Sequence, residues 1–192
     1  MPVGSQICFR LSSLVQYQGK GILLIRNPFD AMISFFRHNI EGFHSRTEAS
    51  KNDKKENIGV FYTQEFEAYA YSHIKKWRTI VEDWVTAGNV VVIHYEELRE
   101  NKVAELEKML NHLQIPLDRR RLSCVEYADL NVFKRKKNKL KHSPYSKELS
   151  SIIWKNIGEV DKMLVRKGHR GIPYHKYETL RCFDNVTVSY GP

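Results

Sequence analysis

Apolar residues fall into two kinds of pattern along the chain, and each predicts a different element. Residues 20–25 (KGILLI) and 89–95 (NVVVIHY) are short, nearly continuous apolar runs, the pattern of strands buried on both faces of a parallel sheet. After the first run the apolar positions step by three and four. Phe29, Ile33, Phe36 and Ile40 form one stripe, while Asp30, Ser34 and His38 lie along another face, so a helix follows the strand. Asn27 is placed to cap that helix. Pro28 suits its first turn, where the missing N–H has no partner to lose.

Further along, Tyr62, Phe66, Tyr69, His73, Trp77, Ile80 and Trp84 recur at helical spacing, with the Trp pair read as core and Gly88 suited to end the helix. Val103, Leu106, Leu110 and Leu113 predict a helix over about 101–113, closed by Pro116. A short helix is expected over 118–129. Ser143 and Pro144 supply a cap and first turn for a last helix to about 167, with Ile152, Ile153, Val160 and Leu164 facing inward. Residues 41–60 and the tail after Gly171 lack an apolar period and read as irregular. The alternation of strand, helix, helix, strand and helix predicts an α/β fold, a mainly parallel sheet flanked by helices.

A chain of 192 residues is one domain with room for a real core. Charge changes the picture more than size does. Thirty-one Lys and Arg against 22 Asp and Glu leave +9, a surface that concentrates phosphates, sulfates or acidic polymers. Six of these cations crowd into 134–141, broken only by Asn138 and Leu140, and Phe133 and Tyr145 are candidate stacking partners. The run reads either as a solvated loop or as the patch of a non-catalytic polyanion- or nucleic-acid-binding domain. No apolar run is long enough to cross a bilayer. Eight His and three Cys lie without ligand spacing, so no metal is expected. Glu96 and Glu97 are adjacent, and neighbours in sequence do not converge on one substrate atom.

Ligands of parallel α/β sheets bind beyond the carboxyl ends of the strands, where Arg26 stands at the opening of a helix. A guanidinium grips a phosphate with two parallel hydrogen bonds, and Ser34 can add a third contact. Taken alone, the residues equally allow a structural salt bridge by Arg26 with Ser34 facing water.

The order Arg26-Asn27-Pro28-x-Asp30, then Ser34, then His38, resembles the 3′-phosphate-binding signature of sulfotransferases. Tyr95-Glu96-Glu97-Leu98, followed by Asn101 and a helical segment ending in Gln114-Ile115-Pro116, resembles that family's segment after the second strand. In detail, LLIRNPF, VVIHYEELR and RLSCVEY are most similar to the sulfotransferase domain of the WSC-domain-containing family, Golgi type II membrane proteins that include sialic acid O-sulfotransferases. The resemblance covers residues 20–178. It implies a P-loop-NTPase-like sulfotransferase fold and transfer of a sulfuryl group from 3′-phosphoadenosine 5′-phosphosulfate (PAPS) to a glycan or glycoprotein hydroxyl, sialic acid included. Adenosine 3′,5′-bisphosphate is then the product, no metal is needed, and the site is the lumenal side of the Golgi membrane.

By the same resemblance Arg26 and Ser34 hold the 3′-phosphate and Tyr95 belongs to the cofactor site. Phe133, Arg135 and Lys136 match a segment that closes over the nucleotide, with Lys137 where the family has glycine. The catalytic base stays unassigned. Residues 1–19 contain nothing like the family's 5′-phosphosulfate loop, a Lys/Ser-Gly-Thr/Ser-type turn. The expectation is therefore a partial domain over 20–178 with its N-terminal part missing, between a non-matching segment 1–19 and an irregular tail 179–192, inactive in transfer by itself.

Overall fold

Gly21–Ile25 (β1) and Val90–His94 (β2) lie side by side and parallel in the computed structural model, with Gly21 opposite Val90 and Ile25 opposite His94. The structure describes residues 19–44, 58–127, 140 and 142–177. Among these, helices predominate. They are α1 (Pro28–His44), α2 (Gln64–Ala87), α3 (Tyr95–Glu100), α4 (Lys102–Leu113), α5 (Arg119–Tyr127) and α6 (Lys147–Arg166). Single 3-10 turns occupy Ile58–Tyr62 and Tyr174–Lys176. The expected α/β layering is present in reduced form, as a two-stranded parallel sheet among helices.

The core lies on one face of that sheet. Leu23 and Ile25 point into it and meet Phe29 and Met32 of α1, Phe66, Ile74 and Val81 of α2, and Leu149, Ile153, Ile157 and Leu164 of α6. The expectation that β1 is buried on both faces is corrected here. Ile22 is 36% and Leu24 50% exposed, so the strand alternates buried and open positions as a half-covered strand does. At its start Gly21 lies against α2, and a Cβ there would stand 2.9 Å from the Trp84 ring.

Local signals set most element ends. Thr63 caps α2 by accepting the Phe66 N–H, and Gly88 ends it at φ +78°, a conformation glycine adopts without strain. The buried stripe of α2 is Phe66, Ala70, Ile74, Val81 and Val85. Trp77 and Trp84 pack against the margin of the core rather than filling it, and Tyr62 is exposed. Ser146 caps α6 by accepting the Leu149 N–H at 3.2 Å, three residues beyond the expected Ser143. Ser143 instead accepts the Tyr145 N–H. Two segments expected to be irregular are partly ordered. Helix α1 runs on to His44, and beyond Gly171 the side chains of Ile172 and Tyr177 are buried. Of the basic run 134–141 only Leu140 is among the described residues.

Candidate functional site at the carboxyl ends of the strands

β1 ends at Ile25 and α1 begins at Pro28, so Arg26 and Asn27 make the whole turn between them. In the neighbouring strand His94 is the last residue and Tyr95 the first of α3. Because Ile25 pairs with His94, the two turns stand next to each other. Each residue of the Arg26–Asn27 turn is held by a residue of α3. The Arg26 guanidinium lies over the Tyr95 ring, 4.7 Å from its centroid, within the range of a cation–π contact. The Asn27 N–H donates to Glu96 Oε1 at 2.9 Å.

Asn27 is buried and acts as the expected cap. Its Oδ1 accepts the Phe29 N–H at 3.1 Å and its carbonyl the Ala31 N–H at 2.9 Å. Several polar atoms in this region are buried without a hydrogen-bond partner: Arg26 Nε, Asn27 Nδ2, Glu96 Oε2, both ring nitrogens of His94 and the Tyr177 hydroxyl. A buried orphan donor or acceptor costs about 1–3 kcal/mol, and such groups gather where a ligand or ordered solvent satisfies them. Arg26 Nε is the one with full positive charge behind it.

Burial and charge shape the acids around the turn. Burial raises the Glu96 carboxyl above the ordinary carboxylate range, against the opposing pull of the Asn27 N–H and of Arg26. Glu97 is directed elsewhere, into a bidentate pair with Arg170 at 2.8 and 3.0 Å. The adjacent acids thus serve different partners, as their adjacency implied. His94 sits close to that pair and to the Arg170 backbone, and burial lowers its pKa. Burial also pushes the Tyr145 and Tyr177 phenols well above their usual value.

Of the site residues read from sequence, Arg26 and Tyr95 are in contact. Ser34 is exposed on the second turn of α1, the helix that Arg26 precedes, and His38 is exposed one turn further on. Arg135 and Lys136, with Phe133, lie outside the described residues. No group of three or more His, Cys, Asp or Glu is arranged to hold a metal ion among the described residues. A separate groove of about 500 Å³ runs between α2 and α6, lined by Arg78, Glu82, Glu159 and Lys162 among others. Its Arg78 is engaged by both Glu82 and Glu159.

Sequence reasoning assigns no site role to Glu96 or Tyr177, and reads Tyr145 only as a candidate stacking partner of the basic run. For Glu96 one faint signal existed: the third helical residue of α1 is Asp30, where a capping box carries Glu or Gln to accept the cap's own N–H.

A profile of the sulfotransferase domain matches residues 10–177. WSCD family member GA21586 of Drosophila pseudoobscura pseudoobscura is 28% identical over 152 residues, covering 78% of this chain and 46% of that protein. WSCD family member CG9164 of Drosophila melanogaster is 27% identical over 136 residues, 70% and 41% respectively. Sulfotransferase 2A6 of Rattus norvegicus is 25% identical over 128 residues, 64% and 41%. The chain spans less than half the length of each of these relatives. No solved structure matches the chain. No helix of the described residues is long and apolar enough to cross a membrane.

Proposed function

Since the chain belongs to the sulfotransferase domain family, we propose that the turn at Arg26 binds the 3′-phosphate of 3′-phosphoadenosine 5′-phosphosulfate (PAPS). The observation that carries the reading is Arg26 itself. It is a cation at the carboxyl end of a parallel strand, at the opening of a helix, its ring-side face on Tyr95 and its buried Nε without a partner. Those are the attributes of an anion site. The donor set fits a phosphate, because the guanidinium supplies paired N–H groups and the Ser34 hydroxyl adds a neutral donor from the same helix.

When bound, PAPS supplies the sulfuryl group and, in its 3′-phosphate, the handle by which it is held. This chain's residues do the holding. Arg26 neutralises the phosphate, Tyr95 fixes the plane of the guanidinium, Ser34 adds a hydrogen bond, and Arg135 and Lys136 bring further positive charge. The acceptor we propose is a hydroxyl of a glycan or glycoprotein, sialic acid among the candidates, in the lumen of the Golgi. Residues 1–19 contain no Lys/Ser-Gly-Thr/Ser sequence of the kind the family uses for the 5′-phosphosulfate. In this reading the residues named above form the 3′-phosphoadenosine side of the site, and the preorganised N–H donors that the 5′-phosphosulfate needs are not among them; removing such a donor costs about a hundredfold or more in rate.

Calorimetry with adenosine 3′,5′-bisphosphate tests the reading. Removing one charged hydrogen-bonding partner costs roughly 1.5–3 kcal/mol, so Arg26→Ala should weaken binding by about one to two orders of magnitude. Equal affinity in parent and variant sinks the assignment. Loss of all nucleotide selectivity, with heparin and DNA bound equally and ever more weakly as salt rises, would leave a polyanion-binding domain acting through the run at 134–141.

A further inference from the structure

We infer that Glu96 is a positioning residue for the proposed anion site, supplying from the second strand's exit the capping acceptor that α1 lacks. The inference rests on the reading of Arg26 given above. An α-helix that opens with Asn27 as cap has Pro28, Phe29 and Asp30 as its first three residues. In a self-contained capping box the third of these is Glu or Gln, long enough to reach back to the cap's backbone N–H. Asp30 is one methylene shorter than Glu. The Asn27 N–H goes instead to Glu96 Oε1 at 2.9 Å, across 69 residues of sequence.

The consequence is a turn fixed at both residues from one neighbouring segment. Tyr95 sits beneath the Arg26 guanidinium and Glu96 anchors the Asn27 N–H. Two consecutive residues of α3 therefore clamp the two consecutive residues of the turn. Glu96 does this against its own charge, since a carboxylate beside a phosphate site repels the ligand. Its contribution is the acceptor atom, and the charge opposes binding. That separation of roles distinguishes it from an ordinary ion-pair partner of Arg26, and it predicts opposite behaviour for two substitutions of the same residue.

Glu96→Gln keeps an oxygen that can accept the Asn27 N–H and removes the charge. Glu96→Ala removes both. The experiment compares the parent, both variants and Arg26→Ala by calorimetry with adenosine 3′,5′-bisphosphate, alongside amide hydrogen exchange at Asn27. The expected result is that Glu96→Ala weakens binding about tenfold and unprotects the Asn27 amide, while Glu96→Gln rescues both and binds as tightly as the parent or more so. Should Glu96→Ala fail to fold, Glu96→Met, of similar length and without an oxygen acceptor, carries the same comparison.

Three results overturn the inference. One is equal loss in Glu96→Gln and Glu96→Ala, which would make the charge the operative feature. Another is parent-like affinity in Glu96→Ala together with lost affinity in Arg26→Ala, which removes the inference and leaves the 3′-phosphate reading standing. The last is no nucleotide binding by the parent chain, which removes both.

Discussion

Tyr145 donates its hydroxyl to the main-chain carbonyl of Phe29 at 2.6 Å, and the two rings meet edge-on with centroids 5.1 Å apart and planes at 80°. The contact joins the segment leading into α6 to the first turn of α1, and so braces the start of the helix that follows Arg26. Tyr145→Phe keeps the ring and leaves a buried carbonyl short of one donor, so it should destabilise the fold by about 1–3 kcal/mol. The midpoint of urea unfolding should fall with an unchanged slope. An unchanged midpoint would mean that the edge-on ring contact alone holds this junction.

Alkali should unfold the protein through its buried phenols. Burial pushes Tyr69 up to about 12 and raises Tyr145 and Tyr177 as well. In the unfolded chain each phenol ionises near pH 10. Above that value the unfolded state loses protons that the folded state keeps, so stability present below about pH 10 declines as pH rises toward the folded values. Absorbance of phenolate should therefore appear in two stages, the exposed tyrosines first and the buried ones together with unfolding. A single smooth titration with no loss of structure would contradict it.

Acid should act in part through His94. Burial holds its folded-state pKa below the ordinary value near 6.5. As pH falls below about 6.5 the unfolded chain takes up a proton that folded His94 refuses. Stability present above that pH is then lost at up to about 1.4 kcal/mol per pH unit, until the lowered folded value is reached. His94→Gln cannot take a proton and should flatten this part of the profile, measured as urea midpoints at a series of pH values. An identical profile in parent and variant would place the acid sensitivity on groups other than His94.

Two substitutions in β1 should act on different properties, one on stability and the other on association. Gly21→Ala places a methyl group 2.9 Å from the Trp84 ring and 3.1 Å from Val90, so the strand or α2 must shift, at a cost of about 1–3 kcal/mol. Leu24→Thr removes apolar surface from a side chain already 50% exposed and puts a β-branched residue, well suited to a strand, in its place. It should reduce self-association, read by sedimentation velocity, while thermal stability stays the same. A large drop in thermal stability would show that Leu24 is covered in solution.

Much of this protein was determined by local sequence. Asn27 and Pro28 start α1, Gly88 stops α2 and the two aliphatic runs are the two strands, because caps, left-handed turns and apolar period act over a few residues and leave their mark within them. The motif around Arg26 was legible for the same reason. Tertiary structure alone decided which face of β1 is covered, since an unbroken apolar run is the same string whether one side or both are packed. It also decided that Trp77 and Trp84 line the core margin while Ala70 and Ile74 occupy the interior, a rotation of the helix that periodicity leaves open. Above all it joined Tyr95 to Arg26 and Glu96 to Asn27. Those contacts cross some 69 residues, and their existence depends on the parallel register of β1 with β2, which no short-range pattern encodes.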